Sequence, residues 1–274
     1  MKIGDAMLYI YDVTIDAPNE KSSTWYKNFH DAFCMCQLVN NGIFSLLDLF
    51  EADTGVGADI LIREIMLGMN SRVNDVNNIH EFLGVDIRDF NKNVEMDIER
   101  IIGLSVSGSW SESLKGFLNI WEFIFIFCLF EGAARNLVSR KTLMRKVVPS
   151  IFEKYPDQVR MLDLEFCFTE DLYLRAWNVF VSLRNIYSHS HGVMDAKSRS
   201  DLVKRITEFR SAYENSFNES QSENSLILEA MSPGSDDLFD EDKIQNGKFY
   251  FIEDKELNIF KSLFTKLLWA VSQN

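Results

Sequence analysis

Residues 169–192 read TEDLYLRAWNVFVSLRNIYSHSHG, and this stretch decides the fold. Wound at about 100° per residue, Leu172, Ala176, Val179, Phe180, Leu183 and Tyr187 fall on one helical face, which predicts a core-facing stripe. Val181, Arg184, Asn185, Ser188 and His189 fall at i, i+3, i+4, i+7 and i+8 on roughly the opposite face. Thr169 is placed to cap the helix, with Glu170 and Asp171 where the helix dipole favours acids. Gly192 is placed to end it. A helix of this design has a core side and, across from it, a fixed cation, an amide, a hydroxyl and an imidazole. Such a stripe needs solvent or a partner.

Outward from this helix, most of the chain reads the same way. Only 4 prolines and 13 glycines interrupt 274 residues, so helices are favoured over a many-turned β fold. The expected fold class is all-α, a helical bundle with an N-terminal helical extension and one short terminal strand pair from 7–15 and 248–252. Helices are expected from Ser23 or Thr24 to Phe50 with a break at Asn40-Asn41-Gly42, and over 58–69, 75–83, 89–104, 113–140, 196–213 and 253–271. Pro149 and Pro156 bracket a short segment. The polar run 105–113, SVSGSWSES, divides an N-terminal region, 1–110, from a helical domain, 111–274. Residues 215–247, with Asp236, Asp237, Asp240, Glu241 and Asp242, are expected to form an acidic mobile loop.

Composition limits the function classes. Net charge is −13, so the whole-molecule field repels polyanions and any nucleic-acid site must be a local basic patch. Cys34, Cys36, Cys128 and Cys167 have no disulfide-framework spacing, and the first five residues lack the regions of a secretory leader, which predicts a cytoplasmic setting. The apolar run 117–130 is 14 residues long and carries Glu122, short of a bilayer span, and is expected to be a buried helix. His30, Cys34 and Cys36 lack a second ligand pair, His80 stands alone, and no metal site is expected. Glu131 and Arg135, at i and i+4, make a helical ion pair, and Arg140, Lys141, Arg145 and Lys146 form either a phosphate-binding or a solvated basic cluster.

The 184–191 stretch offers a full chemical set for cleaving RNA. A histidine can move protons near neutral pH, an arginine stays charged and forks onto phosphate, and an asparagine can orient either. Arg184-Asn185-Ile186-Tyr187-Ser188-His189 resembles the Arg-x(4–6)-His signature of HEPN domains, often written Arg-Asn-x-x-x-His; His191 also fits the longer spacing. The resemblance covers about 113–213. It implies a helical bundle acting as a metal-independent endoribonuclease without cofactors, a toxin or antiviral-defence effector. By position it makes Arg184 and His189 the catalytic pair and Asn185 their supporting residue, with Ser188, His191 and Glu131 as further support and Arg140, Lys141 and Arg145 as weak substrate contacts. It also implies RNA as substrate, a homodimer with a composite site, an antitoxin or regulatory partner, and no membrane. The alternative is a non-catalytic HEPN-like interaction or nucleotide-binding module; a plain helical scaffold is the third reading.

Overall fold

A computed structural model describes residues 15–52, 110–166, 168–189, 192–219 and 238–273. Among them are seven α-helices: α1 Thr24–Ala52, α2 Trp110–Leu137, α3 Val147–Lys154, α4 Pro156–Phe166, α5 Glu170–His189, α6 Ala196–Glu219 and α7 Asp254–Ser272. The all-α expectation holds among the described residues. The helices expected at 58–69, 75–83 and 89–104, His80, and 7–14 of the strand pair lie outside them. Within 248–252, Phe249 forms a single antiparallel bridge with Val193.

The chain divides into two compact units, one of Met1–Asn40 with Leu104–Asn274, the other Asn41–Gly103. The first forty residues therefore go with the C-terminal helices, where the sequence placed the boundary near 110. The reason is burial: Tyr26, Phe29 and Phe33 of α1 enter the core of the first unit. A polar network fastens them there. Lys261 Nζ donates to Glu122 Oε1 at 2.9 Å and to Gln37 Oε1 at 3.2 Å, while the amides of Gln37 and Asn40 donate to the Glu122 carboxylate. All four residues are buried and the Lys261–Glu122 charges are paired, while the Asn40 side-chain oxygen is buried without a hydrogen-bond partner. Asn40 is thus an anchor, and α1 runs unbroken through Asn41 and Gly42, contrary to the expected break.

The centre of the unit is α7, buried around nearly its whole circumference between α2, α4 and α5. Its Phe260 and Phe264 meet Phe123, Phe127 and Phe130 of α2 and Trp177 and Phe180 of α5, with ring centroids 4.9–6.1 Å apart. Phe127 stacks on Trp177 at 5.1 Å, nearly parallel. Such pairs add directional energy of about 0.5–1.5 kcal/mol each to plain area burial. Helix α6 closes the far side of α5, and Arg175 bridges Asp171 and Glu208 between them.

The apolar run in α2 is longer than its sequence reading. Lys115–Leu137 is long and apolar enough to cross a membrane by length and composition, and 44% of its most apolar window is buried within the fold. The two prolines act at helix starts: Pro156 is the first residue of α4 and Pro149 lies in the first turn of α3, where a missing N–H costs nothing.

Part of the expected acidic loop is packed. Leu238, Phe239 and Ile244 are fully buried. Arg210 of α6 donates to the carbonyls of Leu238 and Phe239 at 2.7–3.0 Å and pairs with Glu241 at 3.1 Å. Residues 238–253 form a strap across the bundle, drawn in by three apolar side chains that the acidic composition masks.

Candidate functional site

Helix α5 begins as its sequence predicts, with Thr169 Oγ1 accepting from the Leu172 N–H at 3.2 Å. Its far end is set by Gly192 at φ +81°, whose N–H reaches back to the Ile186 carbonyl at 3.2 Å. The ring of Phe249 lies so close that a Cβ on Gly192 would sit 2.9 Å from its Cδ1. Glycine is required twice over, by conformation and by space. The strap holds this end: the Met194 N–H donates to the Lys248 carbonyl at 3.0 Å, and Tyr187 Oη donates to the Tyr250 carbonyl at 3.1 Å. Burial, and then the Glu256 charge, push the Tyr187 and Tyr250 phenols well up, so both remain neutral donors.

Glu256, in the first turn of α7, is the buried carboxylate behind the strap. Its oxygens accept from the Phe239 N–H at 2.7 Å, Tyr250 Oη at 2.8 Å and the Glu253 N–H at 2.9 Å. Burial outweighs these donors and lifts its pKa to about 7. Phe239, whose N–H it holds, is the one non-glycine residue at positive φ among the described residues.

The predicted stripe on α5 is partly where the sequence puts it. Arg184 and Asn185 are half-buried, Ser188 and His189 are exposed, and Arg184 Nη1 donates to Asn185 Oδ1 at 3.2 Å. Val181 is not on an open face. It is 1% exposed, in a helix that packs against α2, α3, α6 and α7. His191 lies outside the described residues. No carboxylate lies within ion-pair distance of Arg184 among the described residues.

Glu131 of α2 is engaged by Arg135 Nε at 2.7 Å as the i, i+4 spacing predicts. The Cys128 thiol is raised by burial and by the Glu131 charge and lowered by the Arg184 charge. Arg135 also donates to the Arg140 carbonyl at 2.7 Å, and Trp177 Nε1 to the Met144 carbonyl at 3.0 Å. These two bonds hold the basic turn over the start of the α2/α5 seam. Arg140, Lys141, Arg145 and Lys146 are exposed there, with no carboxylate within ion-pair distance among the described residues.

His30 Nε2 lies 3.6 Å from Cys34 Sγ, but Cys36 turns inward, where burial and the Glu122 charge push its thiol to about 12. No third ligand joins His30 and Cys34 among the described residues.

The sequence reading missed the outer aromatics of α2. Trp121 is 62% exposed, Phe117 40% and Phe125 37%, with the Trp121 and Phe125 rings stacked at 6.4 Å. Their signal was present as an i, i+4, i+8 spacing opposite Phe123, Phe127 and Phe130, inside a run read as uniformly buried. Comparison with family models, with curated proteins and with solved structures finds no match.

Proposed function

We propose that the chain is a metal-independent endoribonuclease of HEPN type, a toxin or antiviral-defence effector. The observation that carries the reading is the emergent end of α5. Arg184 holds the Asn185 amide, faces no carboxylate among the described residues, and lies one to one and a half turns from the exposed Ser188 and His189. In this mechanism the His189 imidazole takes the proton of the ribose 2′-hydroxyl. The 2′-oxygen attacks phosphorus, the bond to the 5′-oxygen breaks, and a 2′,3′-cyclic phosphate and a protonated 5′-hydroxyl leave. Arg184 neutralises the developing charge on the phosphoryl oxygens, the role a metal would otherwise fill. Asn185 fixes the guanidinium. Glu131 is engaged by Arg135 and takes no part in the proton transfer of this scheme.

One protomer offers one described histidine at the site, whereas the reaction needs a base and an acid. A two-fold dimer joining two such helix ends supplies both. Val181 cannot contribute to that contact, being buried in its own protomer. The test is incubation of purified protein with RNA in EDTA, with end-group analysis of the products. Cyclic phosphate ends made in chelator, and their loss in Arg184→Ala, are expected; cleavage that stops in EDTA and returns with a divalent ion contradicts the mechanism.

A second reading, a non-catalytic binding module, is favoured by one fact: no group among the described residues hydrogen-bonds His189 to set its tautomer. Binding of RNA without cleavage by the wild-type chain distinguishes it.

A further inference from the structure

Helix α2 is apolar around its circumference, yet the bundle covers one side of it. Phe123, Phe127 and Phe130 pack on α5 and α7. Between residues 116 and 130 the sole charged side chain is Glu122, and it too turns inward, buried and paired with Lys261 of α7 at 2.9 Å. The opposite arc carries Phe117, Trp121, Phe125, Cys128 and Gly132, all exposed. At helical spacing the other four fall within about 40° of the Trp121 azimuth, in a stripe about 22 Å long. Arg135 continues the stripe, and its guanidinium donates to the Arg140 carbonyl at 2.7 Å, so the apolar row leads into the basic turn. That turn is tied by the Thr142 N–H to the Ser139 carbonyl at 3.1 Å and by the Lys146 N–H to the Leu143 carbonyl at 2.8 Å. It holds Leu143 out, 74% exposed, among Arg140, Lys141, Arg145 and Lys146.

We propose that the outer stripe of α2 and the turn after it seat the protein on an anionic lipid surface, the rings and Leu143 in the interfacial layer and the four cations on the headgroups. The inference goes beyond the ribonuclease reading, does not depend on it, and departs from the family resemblance, which implied no membrane. Charge argues for this occupant. Residues 115–146 hold six Lys and Arg against two Glu, a net +4 in a chain of −13, so an anionic plane attracts this segment and repels the rest. Chemistry argues for it as well. The stripe offers one strong hydrogen-bond donor, the Trp121 indole, where a protein partner would need a set of bonds to fix its register. Tryptophan and phenylalanine beside lysine and arginine suit the boundary between hydrocarbon and headgroups. The helix lies on the bilayer rather than through it, because the bundle already holds its inner face.

The experiment uses the full-length protein with vesicles of phosphatidylcholine alone and of an equimolar mixture with phosphatidylserine. Co-sedimentation with the mixed vesicles, reversed by raised salt, is expected, and none with phosphatidylcholine alone. Tryptophan emission should shift to the blue on the mixed vesicles, and the shift should be absent in Trp121→Phe, whose other four tryptophans give the background. Arg140→Gln/Lys141→Gln/Arg145→Gln/Lys146→Gln should weaken binding by about 100-fold or more. Trp121→Ala should weaken it by about 10-fold, with circular dichroism unchanged in every variant. Failure to bind the mixed vesicles, equal binding to both kinds, or binding that survives both sets of changes overturns the proposal. So does a dimer that Trp121→Ala breaks apart in a protein that ignores vesicles, since a second copy then covers the rings. Capture of polyglutamate by the turn without vesicle binding overturns it too, in favour of an acidic protein. Vesicle binding is read without RNA, so its failure and that of the cleavage assay are separate results.

Discussion

The two halves of α5 share one periodicity and meet different surroundings. Up to Leu183 the helix buries Trp177, Phe180 and Val181, the last of them on the azimuth of the polar stripe. Beyond it, Arg184, Asn185, Ser188 and His189 reach solvent in part or in full. A helical wheel gives azimuth and is blind to position along the axis. Burial here is decided by where the neighbouring helices stop, so Val181, on the polar azimuth, belongs to the core half.

Substitutions in the two halves should therefore differ in kind. The largest effect is expected from Phe180→Ala. Its ring touches Phe123, Phe239, Phe260 and Phe264, and loss of this contact should cost about 3–5 kcal/mol in denaturant unfolding. Val181→Ala should cost about 2 kcal/mol, against a change within about 0.5 kcal/mol for Ser188→Ala four residues short of Gly192. Equal effects at 181 and 188 would erase the boundary between the halves. Gly192→Ala should cost about 1–2 kcal/mol from positive φ alone, with Phe249 displaced as well. Near-ultraviolet circular dichroism would report the shifted ring.

The smallest effect sharpens the same boundary through the strap that closes the emergent half. The Glu256 pKa is raised from 4.5 to about 7, so the folded protein holds a proton that the unfolded chain releases. The stability this contributes is full below about pH 4.5 and is lost as pH rises through about 7. The melting temperature should fall by a few degrees between about pH 5 and 8, and Glu256→Gln should flatten that fall. Of its neighbours, Lys243 is raised above its ordinary value by Glu253 and Tyr250 by burial, so both stay protonated across this window. An unchanged slope in Glu256→Gln assigns the pH dependence elsewhere.

Much of this was legible in the chain. Thr169 and Gly192 mark both ends of α5 by local rules, and the Glu131–Arg135 pair follows from i, i+4 spacing. The strap was not legible, because Leu238, Phe239 and Ile244 sit among aspartates and the arginines that hold them lie far away in sequence, Arg210 28 residues from Leu238 and Arg199 45 residues from Ile244. Nor was the anchoring of Asn40, which depends on Glu122 and Lys261 from two distant helices. The outward turn of Trp121 hid for the opposite reason: in a run with rings on every side, composition cannot say which side is covered.

The most direct test of the central claim is cleavage of RNA by wild type, Arg184→Ala and His189→Ala at matched protein concentration, with each melting temperature recorded. Loss of cleavage by orders of magnitude in both variants, with melting temperatures within about 2 °C of wild type, is the predicted result. His189→Ala cleaving at the wild-type rate, or both variants losing activity only in proportion to lost folding, would contradict it.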